Sequence, residues 1–136
     1  MVLAHQQEQQ HQPVPLEAVD RRAAVQGAFH IMRAWGVSNE QVRVLLGAPA
    51  KRTFFAWQRG DVKRVPADVL RRIGYIAGIY KALQIIYSNA ELADTWVKRP
   101  NRAFGEQTPL QRMCAGDVTD LAAVRSYLDA ARAPWS

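Results

Sequence analysis

Short apolar stripes with helical spacing, separated by glycine, proline and helix-capping residues, follow one another along this chain from about residue 16. No strand-like alternation of apolar and polar residues lasts beyond a few positions. Stripes of this kind bury their apolar side chains by packing helix on helix. We therefore predict an all-α fold, with a helix-turn-helix N-terminal domain followed by a small helical C-terminal domain.

Three short helices are predicted between residues 16 and 60. The apolar face of the first has spacings of three and four residues and consists of Val25, Phe29, Met32 and Trp35. The second is predicted to have its N-cap at Ser38 or Asn39 and to end at Gly47, because glycine readily takes the left-handed conformation found after a helix. In the third, Pro49 is predicted to occupy the first turn and Gly60 to mark the end.

A longer fourth helix is predicted from Pro66 to about Tyr87, and it is apolar around much of its circumference. It therefore needs burial on more than one side, and a partner chain is one candidate for the second side. Three shorter helices are predicted to follow, with N-terminal signals at Asn89, at Thr108 with Pro109, and at Asp117 or Thr119.

The net charge of +6 is concentrated in one segment of the 136 residues. Residues 51–72 carry seven Lys and Arg against two acidic residues, whereas residues 1–50 and 91–136 are each balanced. Clustered cations attract phosphates and acidic protein surfaces. This segment therefore predicts an anionic partner, with nucleic acid as the first candidate.

The segment SNEQVRVLLGAPAKRTFFAWQRG, residues 38–60, has the parts of a helix-turn-helix: a short helix, a turn with Gly47, and a second amphipathic helix. If Phe54 and Trp57 face inward, the neighbouring residues face a DNA duplex. The predicted DNA-binding residues are Lys51, Arg52, Thr53, Phe55, Arg59, Lys63 and Arg64. Arg52 suits a guanine edge, and the lysines and Arg64 suit phosphates. The alternative is a solvated basic face on an ordinary three-helix unit.

No catalytic motif stands out, since the chain has no Gly-rich phosphate loop, no HExxH and no GxSxG. Cys114 is the single cysteine, and the three histidines give no zinc-binding spacing. We therefore expect a protein that is not an enzyme and that binds no metal and no cofactor. Residues 1–15, rich in Gln and His, are predicted to be a disordered tail. Without a secretion signal or membrane-spanning run, the protein is expected to be cytoplasmic.

The C-terminal part contains an ordered set of residues: Trp96, Pro100, Asn101, Phe104, Gly105, Thr108, Pro109, Leu110, Gly116, Val124 and Leu128. This order resembles the toxin-binding domain of the Xre/MbcA/ParS antitoxin family, and with the upstream helices the resemblance covers about residues 25–136. Two features depart from the family pattern. Glu106 stands where a second glycine is common, and the chain continues to Trp135 and Ser136 where many relatives end shortly after a glycine.

The resemblance implies a type II antitoxin that neutralises a RES-domain toxin, an NAD-consuming enzyme, by covering its active site, and that represses its own operon through the helix-turn-helix. By matching position, the toxin contacts would be Trp96, Arg99, Asn101, Phe104, Arg125, Arg132 and Trp135. The alternative for Trp96, Phe104 and Tyr127 is core packing. The fourth helix would supply homodimerisation within a larger toxin–antitoxin complex.

The expected organisation is a tail over residues 1–15, a DNA-binding and dimerisation domain over 16–88, and a toxin-binding domain over 89–136. A chain truncated after Gly116 would then lose neutralisation but keep a folded N-terminal region. Two other readings stay open: a stand-alone helix-turn-helix transcriptional regulator whose C-terminal domain only mediates oligomerisation, and a small enzyme with an unrecognised site.

Overall fold

The computed structural model describes residues 18–132, with side chains from Arg21 onward, and all regular structure in that range is helical. The helices are α1 (Ala18–Ala34), α2 (Asn39–Leu45), α3 (Lys51–Gln58), α4 (Ala67–Ile86), α5 (Ala90–Thr95), α6 (Pro109–Met113) and α7 (Val118–Ala131). Two 3₁₀ turns lie at Trp96–Lys98 and Arg102–Phe104. The all-α prediction is confirmed for these residues, and the predicted tail over 1–15 lies outside them.

The helices begin at the capping residues that the sequence indicates. The Ser38 hydroxyl accepts from the backbone N–H of Gln41 at 3.2 Å, and the Gln41 side chain accepts from the N–H of Ser38 at 3.1 Å. Thr108 and Gln111 form the same reciprocal pair at the start of α6. Such capping boxes satisfy backbone donors that have no partner within the helix. The predicted starts of α2 and α6 are therefore confirmed.

The turn between α2 and α3 differs from the prediction at Pro49. Helix α3 begins at Lys51, so Pro49 precedes the helix and does not occupy its first turn. The turn is lengthened because two successive residues are left-handed, Gly47 at φ +93° and Ala48 at φ +55°. The Pro49 carbonyl accepts a hydrogen bond of 2.7 Å from Arg43 Nη1, which fixes the turn against α2.

Helix α4 lies at the centre of the molecule, with α1 against one side and α5 and α7 against others. Ile76, Ile79 and Leu83 are completely buried along it. The predicted need for burial on more than one side is therefore met within the chain. At Gly78 the contact with α7 is so close that a β-carbon would collide with the guanidinium of Arg125.

One continuous core joins the predicted N-terminal and C-terminal parts. It runs from Val25 on α1 through α4 to Leu121, Val124 and Leu128 on α7. Hydrogen bonds also cross between the parts. Arg72 Nη2 on α4 donates to the carbonyl of Gly116 at 3.1 Å, and Lys98 Nζ donates to the carbonyl of Gly36 at 2.7 Å. This packing argues against a folded N-terminal region in a chain truncated after Gly116.

Arg72 is a buried cation, 8% exposed, between two turns. Its Nε donates to Asp68 Oδ2 at 2.9 Å, and its side chain lies against the backbone of Gly47. The Gly116 carbonyl that accepts its second bond directly precedes Asp117, the N-cap of α7. Hydrogen bonds from Thr119 hold the pKa of the Asp117 carboxyl below its usual value. A single side chain thus connects the α2–α3 turn with the start of α7.

Candidate functional site

Helix α3 and the segment that follows it carry a set of exposed cations that we call the basic surface: Lys51, Arg52, Arg59, Lys63 and Arg64. Phe54 and Trp57 point into the core, as the spacing predicts. This orientation turns Lys51, Arg52 and Phe55 outward, and Phe55 is 46% exposed. Of the predicted DNA-binding residues, the structure brings Arg52, Thr53, Lys63 and Arg64 together around one groove. Lys51 and Phe55 line a separate groove between α3 and α2.

The first turn of α3 has the electrostatics of an anion-binding helix end. Its N-cap is Ala50, no side chain caps it, and the first turn contains no acidic residue. Lys51 and Arg52 therefore face the positive end of the helix dipole, which costs roughly 0.3–1 kcal/mol per charge at a surface. An anionic ligand at this end would relieve that cost and accept hydrogen bonds from the backbone N–H groups of the first turn.

A groove of about 230 Å³ lies between α3 and residues 61–65. Its polar walls come from Arg52, Thr53, Asp61, Lys63 and Arg64. Thr53 is half-buried in this groove, whereas its neighbour Arg52 is exposed. Lys63 Nζ lies 3.8 Å from Asp61 Oδ1, whereas Arg52 and Arg64 have no carboxylate within 4.0 Å among the described residues. The groove can accept a phosphate between guanidinium groups.

Helices α2 and α3 are held together across their turn. Gln58 Nε2, at the end of α3, donates to Asn39 Oδ1 at the start of α2 at 3.0 Å. Arg43 on α2 donates to the turn at Pro49, and its Nη2 lies 3.5 Å from the Glu40 carboxylate. The basic surface therefore rests on a braced pair of helices, and its identity as a DNA-binding helix-turn-helix stays a prediction.

Three aromatic rings form a second feature, which we call the aromatic cluster: Trp96, Phe104 and Tyr127. Tyr127 stacks on Trp96 with centroids 6.1 Å apart and meets Phe104 edge-on at 5.4 Å. Trp96 and Phe104 are buried, at 7% and 9% exposure, whereas Tyr127 is 38% exposed. Core packing therefore accounts for most of the area of the first two rings. The exposed ring belongs to Tyr127, which the predicted toxin contacts did not include.

Arg99 and Asn101 organise the backbone beside this cluster. Arg99 Nη1 donates to Thr95 Oγ1 at 2.7 Å and its Nη2 donates to the Leu92 carbonyl at 3.3 Å, so it caps the C-terminal end of α5. Asn101 Oδ1 accepts from the N–H of Ala103 at 2.8 Å, and its carbonyl accepts from Phe104 and Glu106. Both side chains therefore have clear structural partners.

The remaining predicted toxin contacts lie on or beyond α7. Arg125 Nε pairs with Asp129 Oδ2 at 3.1 Å and lies over Gly78, so it joins α7 to α4. Arg132 is exposed at the C-cap of α7. Trp135 lies outside the described residues. Nothing in this placement tests whether any of these residues touches a toxin, so the whole set stays a prediction.

Replacing Glu106 with glycine is expected to stabilise the protein. Glu106 has φ +68°, directly after Gly105 at φ +66°, so a side chain occupies a left-handed position. Releasing that strain, less the extra entropy of unfolded glycine, should raise the free energy of unfolding by about 0.5–1 kcal/mol. Thermal denaturation measures the change. Glu106→Ala is the matched control, because it removes the same carboxylate without removing the strain. An equal gain in both variants would contradict this explanation.

Other chemistry is sparse in the described part of the chain. Burial raises the pKa of the half-buried Cys114 thiol, which disfavours the reactive thiolate. Between residues 18 and 132, no three His, Cys, Asp or Glu side chains are grouped so that they could hold a metal ion. None of the helices in this range is both long and apolar enough to cross a membrane.

Comparison with known proteins identifies the C-terminal part. Residues 82–133 match the family described as antitoxin Xre/MbcA/ParS C-terminal toxin-binding domain. The match begins near the end of α4 and includes the aromatic cluster, α6 and α7. It contains every residue from Trp96 to Leu128 on which the resemblance depends. The helices from α1 to α3 precede it.

A curated relative extends the similarity towards the N-terminus. The chain is 39% identical over 110 residues to the uncharacterized protein y4oB of Sinorhizobium fredii (strain NBRC 101917 / NGR234), covering 81% of this chain and 84% of the relative. No solved structure matches the chain significantly. The chain therefore belongs to the same family as y4oB, and its residues 82–133 are similar to the toxin-binding domain of the Xre/MbcA/ParS antitoxins.

Proposed function

We propose that this protein is the antitoxin of a type II toxin–antitoxin system that neutralises a RES-domain, NAD-consuming toxin by covering its active site and represses its own operon through α2 and α3. The observation that carries the proposal is the toxin-binding domain over residues 82–133. The family gives a toxin partner and favours a regulatory role without catalysis. The RES class of toxin and the repression are our extension of it.

The surface around the aromatic cluster suits a protein partner. Tyr127 presents a partly exposed ring on a rigid base, because Trp96 and Phe104 hold it by stacking and edge contacts. Aromatic and arginine side chains contribute most of the binding energy in many interfaces, especially where they are already ordered. Leu92, exposed on α5, adds apolar area in the same domain. Residues 91–136 are charge-balanced, which favours recognition by shape and apolar contact.

The basic surface suits DNA. Its cations are exposed and, apart from Lys63, have no carboxylate within 4.0 Å among the described residues. The uncapped N-terminus of α3 and the groove beside Arg52 provide places for phosphates. Phe55 is exposed between them and can meet the methyl group of a thymine. Repressors of this type read paired half-sites, so a homodimer belongs to the same proposal.

Co-expression tests the antitoxin function directly. Cells that express a RES-domain toxin encoded beside this gene should stop growing, and co-expression of this chain should restore growth. The two proteins should then purify as one complex. If the chain binds operator DNA but neither restores growth nor retains the toxin, the stand-alone regulator becomes the better explanation.

Changing Tyr127 to alanine is expected to weaken neutralisation. The substitution removes the exposed ring while Trp96 and Phe104 stay in the core, and a loss of about 10-fold or more in toxin affinity is expected for an interface anchor. Titration calorimetry with an inactive toxin measures it. Phe55→Ala, which removes a ring of similar exposure from the basic surface, serves as control. Equal affinity of both variants for the toxin would exclude Tyr127 as an anchor.

A further inference from the structure

A second groove, of about 470 Å³, lies on the other side of α3, between it and α1. Gln26, Phe29 and Arg33 line it from α1, and Trp57 and Gln58 line it from α3. Trp57 is almost completely buried and forms an apolar floor, while Arg33 and Gln26 provide hydrogen-bond donors at the rim. Gln58 Nε2 has one further N–H besides the one that bonds Asn39. The groove thus combines polar side chains that can bind an anion with aromatic side chains beneath them.

Arg22 continues this wall towards the end of α3. Its Nη2 lies 3.2 Å from the position that a β-carbon on Gly60 would occupy. The guanidinium of Arg22 therefore lies beside Gly60, directly after Arg59. Arg22, Gln26, Phe29 and Arg33 follow one another on α1 at spacings of four, three and four residues. They therefore form one stripe on the helix, about 16 Å long at 1.5 Å per residue.

The two arginines of this stripe form no salt bridge with any residue whose side chain the structure describes. Arg22 and Arg33 are exposed, and among the described residues neither has a carboxylate within 4.0 Å. By contrast, Arg43, Arg72, Arg112 and Arg125 each pair with an acidic side chain. Unpaired guanidinium groups beside amide donors are suited to phosphate oxygens. The length of the stripe favours a chain of phosphates over a single small anion, because each strand of a duplex carries one phosphate for about every 3.4 Å of helix axis.

We infer that the stripe Arg22, Gln26 and Arg33 on α1, with Gln58 on α3, is a second wall of the DNA-binding surface and holds the sugar–phosphate backbone. The inference rests on the proposed DNA binding by α3 and adds an element that lies outside residues 51–64. Residues 1–50 have no net charge, so the distribution of charge along the sequence did not point to Arg22 and Arg33. The packing of α1 against α3 places Arg33 in a groove with Gln58 and Arg22 beside Gly60.

The test is a salt titration of DNA binding with the double variant Arg22→Gln/Arg33→Gln. Fluorescence anisotropy is measured with a duplex from the chain's own promoter region and with a random-sequence duplex of equal length. Because backbone contacts carry no sequence information, the affinity for both duplexes should fall by a similar factor. The slope of log K against log salt should become shallower by about two, roughly one for each lost phosphate contact.

Lys81→Gln/Arg102→Gln is the matched control, since it removes two exposed cations from α4 and the 3₁₀ turn at residues 102–104. It should keep the affinity and the slope of the unchanged chain. Arg33→Gln alone should lower the slope by about one, and it leaves the Arg22 contact with Gly60 intact, which guards against a folding defect.

An unaltered slope in the double variant, with binding still lost on changing Lys51 and Arg52, would overturn the inference and leave the proposed DNA binding standing. Absence of binding by the unchanged chain would overturn both.

Discussion

A chain that ends at Gly116 is expected to be unfolded, and its loss of toxin binding would be a consequence of that. The truncation removes α7, whose Leu121, Val124 and Leu128 are buried against the central helix α4. Burying each such side chain contributes about 1.5–3 kcal/mol, so the loss is comparable with the 5–15 kcal/mol that stabilises a typical domain. Circular dichroism should show a much smaller helical signal and no cooperative melting.

The control for this truncation is a chain that ends at Arg132, which retains α7 and the Arg125–Asp129 ion pair. It should melt cooperatively and close to the temperature of the full chain. A truncated protein that ends at Gly116 and still melts cooperatively would show that α1 to α6 fold without α7, and it would contradict this prediction.

Reversing the charges at the start of α3, with Lys51→Glu and Arg52→Glu, is expected to abolish operator binding. Two exposed cations at the helix end become two anions facing phosphates, and we expect a loss of about 100-fold or more at low salt. The change should not weaken the fold, because acidic residues in the first turn interact favourably with the helix dipole. Electrophoretic mobility shift measures binding, and thermal denaturation confirms that α3 remains folded.

Neutralisation of the toxin should survive this change, because Lys51 and Arg52 are not among the residues of the aromatic cluster or of α7. Lys81→Glu/Arg102→Glu makes the same charge change away from the basic surface and should keep DNA binding. If the α3 variant binds its operator like the unchanged chain, α3 is not the DNA-contacting helix. The basic surface would then be a solvated face of a helical unit.

Most helix boundaries were predictable because the signals that set them are local. Ser38 with Gln41 and Thr108 with Gln111 satisfy the first backbone donors of α2 and α6 within three residues of sequence. The position of Pro49 was predicted wrongly because the left-handed Ala48 adds a residue to the turn. The methyl side chain of an alanine does not indicate a left-handed conformation. The helices that cover α4 could not be predicted from local sequence patterns either, since they come from both ends of the chain.

The candidate surfaces were predictable to a similar degree. Once Phe54 and Trp57 point inward, helical geometry alone turns Lys51, Arg52 and Phe55 outward. Tyr127 was harder to select, because its exposure depends on how Trp96 and Phe104 pack beneath it. The position of Arg22 beside Gly60 was hidden for the same reason, since the two residues are far apart in sequence and adjacent only in the fold.

The hydrogen bonds that Arg72 and Lys98 make across the molecule have a consequence for how such proteins diversify. Both acceptors are backbone carbonyls, those of Gly116 and Gly36, so neither bond specifies a side chain on the receiving segment. Residues around Gly36 and Gly116 can change identity while these two hydrogen bonds persist, provided that the backbone at each glycine keeps its shape. A chimaera that exchanges α7 surface residues for those of a relative should therefore keep both hydrogen bonds and melt as cooperatively as the unchanged chain.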